Sequence, residues 1–255
     1  NGNNITALRV KGSFDDCQNM VKKAFVDIEL KNKFNLTSAN SINVARWLPQ
    51  AFYYFYAVKK LKKNNLVFSV PSGNFGNICA GIIAKKLGLP IDHFIASTNV
   101  NDTIPRYFKY QVFSPKPTIQ TISNAMDVSN PSNFIRIQEM FENFESLSSF
   151  LSSYSFDDNQ TLEIVKKIYS DKKYIMDPHG AVGLLGLKKY LANNSSKTGV
   201  FLETAHPIKF SKHIENTIKV KLDIPEKINK ILSKKKQYID IKDYGDFKKK
   251  IFSMN

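Results

Sequence analysis

The chain has 255 residues, 42% of them hydrophobic, and a formal net charge of +15, enough to bury a substantial core in one or two domains. No charged n-region with an apolar h-region and cleavage site is visible, and the longest apolar runs, such as Ala51 to Val58, are too short to span a bilayer. Only four of the 37 basic residues are arginine (Arg9, Arg46, Arg106, Arg136), and the lysines are scattered in pairs, so the charge reads as a solvated face rather than a nucleic-acid surface.

In chain order, residues 5–10 (ITALRV) alternate like a strand. Ser13 suits the N-cap of a helix running to about Leu30, with Asp15 and Asp16 in its first turn. Asn40 to Lys60 reads as a second helix with a strongly aromatic face and a kink at Pro49. Leu66–Val70 is a β-branched and aromatic strand that meets the turn Pro71-Ser72-Gly73-Asn74-Phe75-Gly76. A helical pattern follows, with Ile78, Ile82, Ile83 and Leu87 on one side. Asp92–Ser97 is the next strand. Four prolines break residues 101–132, which are expected to form an irregular loop covering a cleft. Phe134–Tyr169 is expected to be helical, with a surface turn near the serines of 146–155. Asp177–Leu191 reads as a helix, Gly199–Glu203 as a late strand and the lysine-rich tail from Ile224 as helix. The βαβ rhythm predicts an α/β fold, a mostly parallel twisted sheet with helices on both faces. Cys17 and Cys79 have no metal or redox spacing, and reduced, partly buried thiols in a cytoplasmic protein are expected.

Strand, glycine loop and helix N-terminus form an arrangement that binds phosphate. Gly73 and Gly76 let the backbone approach, and the first N–H groups of the helix are free to face an anion. The loop lacks the Lys-Ser/Thr pair of a nucleoside-triphosphate site and the glycine spacing of a dinucleotide site, so a monophosphate suits it better. A plain strand–turn–helix with a glycine cap fits the same pattern. Ser41, Asn43 and Arg46 carry a hydroxyl, an amide and a guanidinium at helical spacing and could grip a second phosphate, or be only a helix start with an exposed arginine. Thr204 follows a strand, at the end where open α/β sheets bind ligands, although threonine also simply favours strands.

The runs GSFDDCQNMVKKAF, NSINVARWLPQAFYYFYA, VPSGNFGNICAGIIAKKLGLPI, ASTNVNDTIPRYF, DPHGAVG and ETAHPIKF, in this order, resemble threonine synthase, a pyridoxal-phosphate enzyme of the type II fold. The resemblance implies that Gly73, Asn74, Phe75, Gly76 and Asn77 hold the phosphate of pyridoxal 5'-phosphate. Asn77 stands where the family often has aspartate. It further implies that Thr204 meets the ring nitrogen and that Ser41, Asn43 and Arg46 hold the phosphate of O-phosphohomoserine. Family members carry a Schiff-base lysine in an S-F-K-D-like segment upstream of these runs, and the 255 residues contain no such segment, so no catalytic residue is assigned. The chain, opening on Asn1-Gly2-Asn3-Asn4, is therefore expected to be a C-terminal part, incomplete at the N-terminus. Residues 1–62 would be a remnant of the smaller substrate-side domain and 63–255 the larger cofactor-binding domain. The implied reaction converts O-phosphohomoserine and water to threonine and phosphate. The alternatives are a non-catalytic remnant, a half-enzyme needing a separate N-terminal part, or another type II lyase such as a serine/threonine dehydratase. No nucleic acid, membrane or metal is expected as partner. His179 and His206 are expected to shape turns near the cofactor, and Lys209 is not expected to replace the absent lysine.

Overall fold

The computed structural model describes residues 4–232 and 234–254 and divides into two compact units. One comprises the residues up to Thr37 together with those from Asp223 on; the other is Ser38–Leu222. The boundary expected at 62/63 falls within the second unit.

In the first unit, β1 (Leu8–Val10) is shorter than the expected strand, and α1 (Phe14–Val26) starts at the expected cap. Ser13 and Asp16 form a reciprocal capping box, with Ser13 N–H donating to Asp16 Oδ2 at 2.7 Å. The helix does not continue to Leu30. Asp27 takes an extended backbone and caps α2 (Ile28–Lys33), accepting from Leu30 N at 3.2 Å.

The second unit begins with a turn in place of the expected start of helix 40–60. Asn43 caps a 3-10 turn at Val44–Arg46, and α3 (Trp47–Leu61) follows. Pro49 falls in the first turn of α3, where its missing N–H costs nothing, so no kink results. Then come β2 (Leu66–Pro71), α4 (Gly76–Lys86) and β3 (Ile91–Thr98). The segment expected to be irregular contains α5 (Thr103–Tyr110). Its Pro105 also lies in a first turn, which is why that proline failed to exclude a helix. Buried Asn99 and Asn101, just past β3, hold the remainder of that segment. Asn99 Nδ2 donates to Asp127 Oδ1 at 2.9 Å, and Asn101 exchanges bonds with the Ile119 backbone at 2.8 and 2.9 Å.

Residues 134–169 are not one helix. α6 (Phe134–Gln138) and α7 (Phe144–Phe150) lead into β4 (Leu151–Ser155), and α8 (Asp158–Lys172) follows. The serines expected in a surface turn thus belong partly to an edge strand. α9 (Pro178–Leu191) and β5 (Thr198–Phe201) match the expected helix and late strand, and α10 (Ser211–Ile218) closes the unit. The tail returns to the first unit as α11 (Glu226–Leu232), β6 (Ile239–Ile241) and α12 (Tyr244–Phe252). β6 corrects the all-helical expectation: it pairs in parallel with β1, and Arg9 Nε meets Asp240 Oδ1 across the pair at 2.6 Å.

The main sheet is parallel throughout, in the order β4-β3-β2-β5. Leu66, Phe68 and Val70 of β2 pack with Tyr54 of α3 and Ile78 and Ile82 of α4, whereas Val67 packs with Ile95 and Leu187 of α9 on the other face. Helices therefore cover both faces, and β2 is buried at every position, as a central parallel strand must be. The chain runs outward from β2 through β3 to β4, then returns to add β5 on the other side of β2. That reversal creates a switch point between the carboxyl ends of β2 and β5, the place where open α/β sheets bind ligands.

Candidate cofactor and phosphate site

At the switch point lies a cavity of about 830 Å³. Its walls come from the loop after β2 (Gly73–Asn77), the three residues beyond β5 (Leu202, Glu203, Thr204), the segment before α3 (Ala39–Ser41, Arg46), and Ala125, Met126 and His179. The structure thus gathers eight of the nine predicted site residues: Ser41, Arg46, Gly73, Asn74, Phe75, Gly76, Asn77 and Thr204. Asn43 is not among the lining residues. Its side chain is occupied by the chain itself, accepting from Ala45 N and donating to Ser38 O, both at 3.1 Å. Lys209 is exposed and absent from the lining, and no lysine is present among the described lining residues.

The loop is held in shape from every side except the cavity. Asn77 Nδ2 donates to Pro71 O at 2.9 Å, and Tyr54 Oη donates to Asn77 O at 2.9 Å. Asn74 accepts from Ser132 N at 2.7 Å and donates to Ser41 Oγ at 3.0 Å. Phe75 sits at φ 63° with its ring buried, an uncommon conformation for a bulky residue and one that recurs at binding sites. Gly73 permits close approach: a Cβ there would lie 2.8 Å from Ala125 O and from Met126 Cα. Likewise a Cβ at Gly76 would collide with Ser41. With these contacts made, the backbone N–H groups of Gly73, Asn74, Phe75, Gly76 and Asn77 have no acceptor among the described residues. Buried N–H groups are rarely left without partners, and a row of them at a helix N-terminus is an anion site.

Sequence reasoning missed several supporting residues. Asn133 is fully buried and donates to Asn74 O at 2.8 Å and Ser41 Oγ at 3.1 Å. Arg136 donates to Ile42 O and Asn133 Oδ1, both at 2.8 Å, and lies over the Trp47 ring at 5.3 Å. Arg136 therefore fastens the 41–42 segment to the loop, while Arg46 donates to Ala39 O at the rim. The scarcity of arginine in this lysine-rich chain was the available signal for Arg136.

A second missed group is Asp177, His179 and Glu203. Asp177 is fully buried and caps α9, accepting from His179 N at 2.8 Å and from the ring Nδ1 of His179 at 2.6 Å. Ala125 N donates to His179 Nε2 at 3.2 Å. These partners select the tautomer with its proton on Nδ1 and tie α9 to the cavity wall opposite Gly73. Glu203 is exposed along its stem, yet its carboxyl lies against Gly180, where a Cβ would collide with it. Burial, and then the neighbouring Asp177, push the Glu203 carboxyl up to about 9. Burial works against the Asp177 charge, but hydrogen bonds from His179 and Glu203 hold its carboxyl below the usual aspartate range. The pair shares one proton at neutral pH, so Arg46 is the only full charge that side chains lining the described cavity carry there.

That arrangement sets a pH dependence. Glu203 is raised in the folded state, so its contribution to stability is complete below the ordinary carboxyl range and lost as pH rises toward about 9. Asp177 is lowered, so its contribution is present above the ordinary aspartate value and lost as pH falls further. Glu203→Gln is expected to flatten the alkaline decline between pH 6 and 9.5 while leaving the acid limb, as read from thermal midpoints. An unchanged alkaline decline would remove Glu203 as its source.

Comparison with known proteins agrees with this geometry. The family described as "Pyridoxal-phosphate dependent enzyme" matches residues 2–204, and "Threonine synthase, C-terminal" matches residues 180–251. The threonine synthase of Haemophilus influenzae is 48% identical over 232 residues, covering 90% of this chain and 54% of that protein. The crystal structure of threonine synthase from Escherichia coli superposes with a TM-score of 0.94 at 41% identity, covering 100% of this chain and 60% of the other. The PLP-bound threonine synthase from Brucella melitensis superposes at 0.80 with 31% identity, covering 94% and 57%. The chain belongs to the pyridoxal-phosphate-dependent enzymes and, among them, to the threonine synthase family. It spans about half the length of the curated relatives it matches. No helix among the described residues is long and apolar enough to cross a membrane.

Proposed function

We propose that the cavity holds pyridoxal 5'-phosphate beside the phosphate of O-phosphohomoserine. The chain would then be the cofactor- and phosphate-binding part of an enzyme that converts O-phosphohomoserine and water to threonine and phosphate. In this reading residues 1–62 belong to the substrate-side domain and 63–255 to the cofactor domain. The observation that carries it is the row of unpartnered N–H groups from Gly73 to Asn77 at the carboxyl end of β2, in the same cavity as Thr204 after β5.

The donor set fits the cofactor. A phosphate monoester is a compact dianion that takes several N–H donors, each worth about 1.5–3 kcal/mol where the acceptor is charged. A neutral Asn77 in place of an acid leaves that anion unopposed. Thr204 offers a hydroxyl to a ring nitrogen, which leaves that nitrogen largely unprotonated. The bound cofactor would supply the electron sink that stabilises carbanions next to an amine. The Glu203 carboxyl stays neutral at physiological pH and keeps a second negative charge away from the phosphates. Arg46 and the Ser41 hydroxyl are placed to orient the substrate's phosphate as leaving group, and Asn43 supports them by capping the turn that presents Arg46. Cys79 is buried and its thiol pushed up to about 12 by burial, so it stays an inert packing residue, as suits a cytoplasmic enzyme.

A second reading within the same family rests on the length of the match. The chain would act as a half that binds cofactor reversibly and gains its catalytic lysine from a separate N-terminal part. Arg46 tests the substrate half of the proposal. In an enzyme completed with that part, Arg46→Lys should raise KM for O-phosphohomoserine about tenfold, because lysine keeps the charge but loses the planar fork. Cofactor absorbance should be unchanged. Equal loss of both would make Arg46 a structural residue.

A further inference from the structure

Gln50 lies four residues beyond Arg46 and lines the same cavity, with Tyr53 one turn further along α3. Its Oε1 is buried and has no hydrogen-bond partner among the described residues. Buried side-chain acceptors are satisfied in the large majority of cases, and an exception in a cavity wall marks a place where a donor arrives from outside the protein. Nothing in the packing requires an amide here, since an apolar side chain of similar size would fill the position without desolvating a carbonyl. The Tyr53 phenol is pushed up to about 12 by burial and stays protonated. Along α3 the cavity therefore meets a cationic donor at Arg46 and then a neutral acceptor at Gln50. Four helical residues rise about 6 Å. A ligand read by both residues carries an anion at one end and an N–H donor a short aliphatic chain away.

We propose that Gln50 is a specificity-determining residue of this cavity. Its Oε1 accepts a hydrogen bond from the ammonium of an amino-acid phosphate ester as that ester enters with its phosphate on Ser41 and Arg46. This rests on the phosphate site described above and adds what selects among phosphate esters. The bond is non-covalent and leaves all protons in place.

The test uses the 255-residue chain and calorimetric titration with three probes: inorganic phosphate, O-phosphohomoserine, and 4-phosphonooxybutanoate, which keeps the chain and the phosphate but lacks the amine. The wild-type chain is expected to bind the amine-bearing ester about tenfold to a hundredfold more tightly than its deamino analogue, the range for one hydrogen bond with a charged partner. Gln50→Leu should bind both esters alike while keeping its affinity for inorganic phosphate. Gln50→Glu, which restores an acceptor, should keep the preference or enlarge it. Thermal unfolding supplies an independent readout. Removing an unpartnered buried acceptor should leave the midpoint of Gln50→Leu equal or higher, whereas a structural amide would lower it by several degrees. A wild-type chain without preference, a preference that survives in Gln50→Leu, or a lowered midpoint in that variant would each overturn the assignment while inorganic phosphate binding stands. Failure of all three probes to bind would bring down the phosphate site itself, and this inference with it.

Discussion

Asp177→Ala is expected to cost about 3 kcal/mol of unfolding free energy, from the loss of a helix cap together with a hydrogen bond to a charged acceptor. Asp177 is fully buried and serves His179 N, the His179 ring and the start of α9 at once. Without it, His179 Nδ1 has no acceptor and the ring is no longer fixed for Ala125 N. Part of the loss is offset because Glu203 no longer faces a buried anion. Asp177→Asn keeps the cap acceptor and should lose less. In that variant Glu203 should also titrate nearer the ordinary carboxyl range, since the neighbour that raised it is neutral. Urea denaturation with an unchanged m-value gives the energy. A loss below about 0.5 kcal/mol, the size of an ordinary surface substitution, would show that the Asp177–His179 contact is not held in solution.

The second large effect belongs to Gly73→Ala. The new methyl would lie 2.8 Å from Ala125 O and Met126 Cα, both backbone atoms that cannot rotate away. Either the 72–76 loop or the 3-10 turn at Asn124–Met126 must move, and overpacking of this kind costs about 1–3 kcal/mol. Because the N–H groups of the loop converge as a set, a shift of the loop spoils several donors together. Affinity for pyridoxine 5'-phosphate is expected to fall at least tenfold, more than stability alone would suggest. Calorimetry on a variant shown to be folded checks this, and unchanged affinity would mean the loop donors do not bind the phosphate.

These effects could be foreseen in part from the residues alone. The 66–88 stretch is readable because the period changes from strand to helix across a glycine-bearing turn, and both elements fall within a residue or two of their expected bounds. α9 is readable because Asp177-Pro178 is both a cap and a favoured first turn. β4 was illegible: LSSYS buries only Leu151 fully, and its serines are tolerated because it is an edge strand. α5 was hidden by a proline in a permitted position, and β6 is three residues long and exists only by pairing with β1. The loop and Thr204 were legible as places in the chain. The groups that hold them were not, because Asn133, Arg136, Glu203 and Gln50 reach the cavity and its walls from segments with no local pattern in common. Asn43 was the reverse case: its spacing suggested a ligand, but its amide is spent within the turn it caps.

The most direct test of the cofactor site is an amide-resolved NMR titration of the 15N-labelled chain with pyridoxine 5'-phosphate. This ligand has the ring and phosphate of the cofactor but no aldehyde, so surface lysines cannot form adducts. Saturable shifts concentrated at Gly73, Asn74, Phe75, Gly76 and Asn77, with a response at Thr204, are predicted. Shifts that fail to saturate, or that gather on the lysine-rich tail while the loop stays still, would contradict the account.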